Sequence, residues 1–283
     1  MKIFFLTVVC LMTIKVSAQE NPNIFKYMVG TVEVWLLSEG QGVGRSGILI
    51  GATPEMLQEC LPEGTFPNSC NAFLLRFPSG KNVLIDAGRS SVPLLENLKS
   101  VGVSPQDINT VLITHIHGDH IGGLLSDGQA VFTNAKVYLS QQERGHGQSN
   151  AGARNVMEAY SSNLSLFEPN EIDKQPQELF AGVRAVAAFG HTPGHTLFLL
   201  ESGSEKLLFW GDLTHALAVQ MPYPHVAVTF DVDAEKAVET RKKVLQFVAA
   251  NKIAVAGSHN AFPGIGTLNQ AANSGYIYKS VTE

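Results

Sequence analysis

The sequence predicts an α/β domain of buried sheets with helices outside, and three observations lead there. Short apolar runs such as Val111-Leu112-Ile113 and Val137-Tyr138-Leu139 are the length of strands and carry no charge, as strands covered on both faces require. They alternate along the chain with segments of helical spacing, which makes a layered sandwich the expected arrangement. Apolar residues make up 45% of the 283 and charged residues 16%, so the chain can bury a core and is not of the disordered class.

The chain opens with Met1-Lys2, an apolar run over residues 3–14 and then Val16-Ser17-Ala18. A short positive start, an apolar stretch and small residues predict a signal peptide over 1–18 and a folded domain over 19–283. The run is shorter than the roughly 20 residues that a membrane span needs. No later run approaches that length, so the expectation is an exported protein, periplasmic or extracellular, with no membrane partner after cleavage. A formal charge of −5 offers no basic surface to nucleic acid.

Residues 29–37 read as a strand in which Val32, Val34 and Leu36 alternate with Glu33 and Trp35, followed by a glycine-rich turn from Gly40 to Gly47. Residues 71–77 and 83–85 read as a hairpin around Pro78-Ser79-Gly80. Residues 93–99 fit a short helix, and Ser104-Pro105 is a helix-start signal. After the strands at 111–113 and 137–139, residues 154–160 fit a short helix. Residues 183–189, 196–200 and 206–209 are strand candidates. Asp233 caps a helix to about Asn251, since Ala237, Val238, Arg241, Val244, Leu245 and Val248 follow helical spacing. Residues 253–256 form a last buried strand. Cys60 and Cys70 flank an irregular segment, and the sequence leaves open whether they bridge.

The chemistry gathers in four short segments. In Thr114-His115-Ile116-His117-Gly118-Asp119-His120, four candidate ligands follow a strand too closely to serve one tetrahedral ion that also keeps a water. They suit two ions, His115 and His117 on one, Asp119 and His120 on the other. Gly190-His191-Thr192-Pro193-Gly194-His195 supplies a third His for the first ion. His195 is expected to be that ligand because it directly precedes a strand and is held by Pro193-Gly194, with His191 supporting the loop. Asp212 ends a strand and can bridge two cations. His259, just beyond the last buried strand, completes the second ion. His215, Tyr223, His225 and Phe262 are candidates for the pocket.

The pattern His115-x-His117-x-Asp119-His120, then His195, Asp212 and His259, resembles the metallo-β-lactamase superfamily over essentially the whole chain after residue 18. Residues 84–88 resemble its early Asp-x-Gly strand end, and residues 190–196 its GHTPGHT turn. The resemblance implies a four-layer αββα sandwich with two divalent metal ions, zinc first, at the edge of the paired sheets. It also implies that Asp86 hydrogen-bonds a ligand His rather than ligating. The segments 210–220, 231–233 and 256–266 are similar to the branch that holds methyl parathion hydrolase and secreted N-acyl homoserine lactone lactonases. The stretch 140–169 is expected to build part of the pocket rim.

The expected reaction is the opening of lactone rings, N-acyl homoserine lactones first, by attack of a hydroxide shared by the two metals. Asp119 and Asp212 are the catalytic carboxylates. Asp212 bridges, and Asp119 orients the nucleophile and passes its proton on. The partner is a small lactone or ester, and a homodimer is compatible with the resemblance. An arylester or organophosphate triester hydrolase on the same site is the first alternative, and a non-catalytic metal-stabilised binding domain is the alternative of another class.

Overall fold

In the computed structural model of the chain, the described residues are 21–272 and 275–283; the signal peptide expected over 1–18 lies outside them. Among the described residues the main architecture is two seven-stranded sheets, each laid down in chain order. The first runs Ile24–Val29, Val32–Arg45, Thr65–Arg76, Asn82–Ile85, Ile108–Leu112, Lys136–Ser140 and Leu164–Phe167. Its first four strands pair antiparallel and its last four parallel. The second runs Gln177–Phe180, Val183–Ala187, Thr196–Ser202, Glu205–Phe209, Ala254–Ala256, Ile265–Gln270 and Tyr276–Ser280. The helix Ala234–Asn251 connects its one parallel pair.

Alternation along the strands makes the four layers. Leu36, Phe73, Leu75 and Ile85 face Phe198, Leu200 and Phe209 in the space between the sheets. The intervening residues Leu74, Leu84 and Val111 turn outward, under Leu94 and Leu98 of the helix Ser91–Ser100 and Val156 of the helix Ala151–Ala159. On the other side Leu197, Leu199 and Leu208 pack against Val244, Leu245 and Val248 of the long helix. This helix follows the predicted spacing, and the Asp233 side chain accepts the Lys236 N–H at 2.9 Å as its cap. Among the described residues no helix is long and apolar enough to cross a membrane.

Two expectations are corrected and one open question is answered. The strand Val32–Arg45 continues through the glycine-rich stretch that reads as a turn; Gly40, at φ 116°, absorbs an irregularity and the strand then pairs on to Arg45 opposite Thr65. Gly44 is needed there, since a Cβ would lie 2.3 Å from the Phe66 ring. The start of that predicted strand is a hairpin, with Gly30 and Thr31 at its turn. Cys60 and Cys70 are free thiols; Cys70 is buried, with Sγ 3.4 Å from the Asp119 carbonyl.

Candidate metal centre

Five loops leave strand ends and meet at one edge of the sandwich. They follow Asn82–Ile85, Ile108–Leu112, Val183–Ala187, Glu205–Phe209 and Ala254–Ala256, which agrees with the rule that α/β sheets carry their sites beyond the strand ends. Backbone bonds sew the two sheets together there: Thr196 N–H donates to the Thr114 carbonyl at 2.9 Å and Asn71 N–H to the Ser258 carbonyl at 2.9 Å. The loops are therefore held in mutual register by main chain, before any ion is considered.

Two groups of ligand atoms converge on Asp212. His115, His117 and His191 form one with Asp212; Asp119, His120 and His259 form the other; and a third grouping, Asp212, His215 and His259, shares a member with each. In the first, His117 Nδ1 lies 3.0 Å from His115 Nε2 and 3.1 Å from His191 Nε2, and Asp212 Oδ2 lies 3.3 Å from His191 Nε2. In the second, His120 Nε2 lies 3.1 Å from Asp212 Oδ1, and His259 Nε2 lies 3.1 Å from Asp212 Oδ2 and 3.6 Å from Asp119 Oδ2. Ligands about 2.0–2.1 Å from a tetrahedral zinc stand about 3.4 Å apart, close to these spacings. His120 Nε2 and Asp212 Oδ1 are buried without a hydrogen-bond partner, a costly state that a shared cation would relieve. The donor set fits divalent cations, with the Asp212 carboxylate in reach of both groups.

The structure brings His191 to the cluster in place of His195. His195 Nε2 accepts the Asp212 N–H at 3.1 Å, and its Nδ1 lies 3.1 Å from the Ala188 carbonyl. Both nitrogens are thus spent on main chain, and His195 shapes the turn that presents Asp212. Gly211 serves the same turn: at φ 51° it takes a left-handed conformation, and a Cβ on it would sit 2.5 Å from His195 Nε2. The other six expected ligands, His115, His117, Asp119, His120, Asp212 and His259, do converge.

The far nitrogens of most converging rings are anchored, which fixes ring orientation and tautomer. Asp86 Oδ2 lies 2.8 Å from His120 Nδ1 and also accepts the Thr114 hydroxyl at 2.8 Å. This is the contact the resemblance implied, made by an Asp at φ 56°. Asp231 Oδ1 lies 2.9 Å from His191 Nδ1, and the Ser69 carbonyl 2.9 Å from His259 Nδ1. Glu143 is fully buried beneath two ligand loops; it accepts the Ile116 N–H at 3.0 Å, the Thr192 hydroxyl at 2.8 Å and the Gly194 N–H at 2.9 Å.

Burial and charge divide the rings. Burial pushes His115 well below the usual imidazole range and His117 down to about 4, so both rings are neutral. Burial also opposes charge on His191, but its hydrogen bonds to Asp212 and Asp231 outweigh that and raise it to about 9. In the same way Asp212 and Asp86 raise His120. Burial disfavours the Asp212 carboxylate, yet the surrounding rings, His120 first, hold it well below the carboxylate range. Protons on His120 and His191 thus stand where cations would replace them.

Beside the cluster opens a cavity of about 470 Å³, lined by Asp119, Asp212, His117 and His259 on one side and by Phe66 and Phe230 on another. His215 lines it too, with Nε2 3.2 Å from Asp212 Oδ2 and its ring stacked on His259 at 4.9 Å. Of the other pocket candidates, Tyr223 bonds Glu59, Phe262 packs edge-on to Phe25, and His225 is exposed. No residue of 140–169 lines this cavity, correcting the expected rim; Ala153, Val156 and Tyr160 from that stretch belong to the core.

Comparison with known proteins agrees with this geometry. The family described as the metallo-beta-lactamase superfamily matches residues 65–251, more than half of the chain. An N-acyl homoserine lactonase of Bacillus cereus is 24% identical over 213 residues, 73% of this chain and 76% of that protein. The crystal structure of the hydrolase AbOPH, of the beta lactamase superfamily, superposes with a TM-score of 0.82 at 28% identity, over 93% of this chain and 99% of that one. The dizinc quorum-quenching lactonase AidC, solved with a product, shares the fold at a TM-score of 0.82 and 24% identity, over 91% of this chain and 97% of its own. Family model, topology and site together show that the chain belongs to the metallo-β-lactamase superfamily.

Proposed function

We propose that the protein is a dinuclear metal-dependent hydrolase that opens lactone rings, with N-acyl homoserine lactones as its substrates, in the branch that holds methyl parathion hydrolase and secreted lactonases. The observation that carries the reading is Asp212, whose carboxylate lies against both groups of ligand atoms, Oδ2 3.3 Å from His191 Nε2 and 3.1 Å from His259 Nε2, and Oδ1 3.1 Å from His120 Nε2. Two divalent cations, zinc first, would there lower the pKa of a shared water and take up the charge that develops on the carbonyl oxygen.

The chain's own residues do the rest. His115, His117 and His191 hold one side of the centre, and Asp119, His120 and His259 the other. Asp119 is 29% exposed, the only carboxylate of the cluster that reaches the cavity to this degree. It can orient the nucleophile and carry a proton to the leaving alkoxide. Asp86 and Asp231 keep the His120 and His191 rings turned to the centre. Phe66 and Phe230 give the substrate an apolar wall. The lactonase likeness supports the choice of substrate, and the export expected from residues 1–18 would let the protein meet a signal outside the cytoplasm.

The test is turnover by zinc-loaded protein on a series of N-acyl homoserine lactones and on a matched aryl phosphotriester. Lactone opening at least about tenfold faster than phosphotriester cleavage is expected. The reverse order would assign the site to phosphotriesters. No turnover of either, with two metals bound, would overturn the substrate class.

A further inference from the structure

We propose that Arg45 and Arg89 select substrates that carry a carboxylate remote from the scissile ester or lactone bond. The proposal rests on the metal-dependent hydrolase reading above and goes beyond its first substrates, since an N-acyl homoserine lactone carries no carboxylate. Both arginines line the same cavity as Asp119 and Asp212. They come from separate elements, Arg45 from the end of the strand Val32–Arg45 and Arg89 from the loop after Asn82–Ile85.

Neither guanidinium has a carboxylate or side-chain hydrogen bond among the described residues. Arg76, Arg184 and Arg241 each have one, to Glu33, Glu201 and Asp231. Glu39, which meets the Arg89 backbone, is engaged with main chain: its Oε1 accepts the N–H groups of Arg89 at 2.7 Å and of Ser90 at 3.3 Å. That leaves the Arg89 side chain free to face the cavity.

The backbone that presents the pair is fixed. A Cβ on Gly88 would lie 2.3 Å from Glu39 Oε1, and one on Gly122, in the ligand loop, 2.0 Å from the Arg89 carbonyl. Arg45 is rooted by strand pairing to Thr65, and the next residue, Ser46, donates its N–H to the Gly64 carbonyl at 2.9 Å. Ile48, Phe66 and Phe230 offer an apolar wall for the carbon skeleton of a ligand. The chain as a whole carries −5, so the two unpaired, exposed guanidinium groups are the positive side chains that this cavity offers an anion. A guanidinium takes a carboxylate through paired N–H donors.

The experiment compares two phenyl esters of equal chain length on the zinc-loaded protein, phenyl hexanoate and the monophenyl ester of adipic acid. In parallel, calorimetry measures binding of the uncleaved amides hexananilide and adipic acid monoanilide. The carboxylate-bearing member of each pair is expected to be favoured about three- to tenfold, through KM and affinity, as two part-exposed ion pairs allow. The preference is expected to fall toward one in R45M/R89M, to survive in part in R45K/R89K, and to shrink at high salt. Equal treatment of both members by the unaltered protein would overturn the proposal and leave the hydrolase reading standing. Failure to cleave either ester would count against the hydrolase reading, while the amide pair still decides the role of the arginines.

Discussion

Asp231 Oδ1 lies 2.9 Å from Nδ1 of His191, whose Nε2 faces Asp212 Oδ2 at 3.3 Å, so one imidazole is gripped between two carboxylates 19 residues apart in sequence. Asp231 is itself backed by the buried Arg241, 3.9 Å away, and accepts the Val228 N–H at 3.0 Å. Asp231→Asn keeps the shape and removes the charge. Affinity for the first zinc is expected to fall about 10–100-fold, as measured by competition with a chelator. Unchanged affinity would show that the ring is oriented without Asp231.

His191 and His195 separate ligation from support. His191→Ala is expected to lower bound zinc and abolish most turnover. His195→Ala is expected to keep ligand atoms but leave the Asp212 N–H unpaired, a cost of about 1–3 kcal/mol in stability. Metal analysis and chemical denaturation of both variants check this. Loss of metal from the His195 variant with stability intact would reverse the two roles.

Asp212→Ala removes the one side chain that belongs to both groups. Metal content is expected to drop below two per chain and turnover by about 10²-fold or more. Unchanged metal content and turnover would remove the bridging role.

Zinc binding has a predictable pH dependence. His191, raised to about 9, is protonated at neutral pH and must release that proton to ligate. Zinc affinity is therefore expected to climb with pH toward 9, about tenfold per unit for each proton displaced. In the metal-free protein the sign is opposite: the charged ring contributes stability that is fully present below about 6.5 and is lost as pH rises toward 9. Chelator competition at several pH values and melting in EDTA check the two signs.

Glu143 joins the loop of His115 and His117 to that of His191. Burial raises its pKa, yet its three acceptor bonds favour the carboxylate. Glu143→Gln turns an amide toward donors on at least one side and is expected to cost about 1–3 kcal/mol. A larger loss of zinc affinity than of stability would mark it as a residue that positions the ligand loops.

The sequence made most of this legible because the ligands lie where apolar runs stop. His115, His120, Asp212 and His259 each follow such a run within a few residues, so strand ends and ligand types could be read together. The choice of His195 over His191 failed on direction. His195 has the parity of Leu197 and Leu199, which face the long helix and not the space between the sheets. That parity is visible in the sequence and argues against His195. Asp231 is part of the segment 231–233 in the branch resemblance but carries no role there, and Glu143 is not singled out in the sequence; only the fold places both against ligand loops. The glycine-rich stretch from Gly40 read as a turn because its strand partner, Thr65–Arg76, supplies the pairing from afar. The hairpin of Ile265–Gln270 and Tyr276–Ser280 was missed because a half-exposed edge lacks a clean apolar run.

The cavity walls and the cage have different parents. Gly44, Arg45, Ile48 and Phe66 sit on or beside the extended end of one hairpin, and Phe230 on the loop before the long helix, while the cage hangs on strand ends sewn by main chain. Descendants of this chain can therefore exchange what they accept by rewriting an overhang, without touching the residues that perform the reaction. Substitution at Arg45 or Phe230 is expected to change what the cavity accepts while leaving the ligand histidines in place.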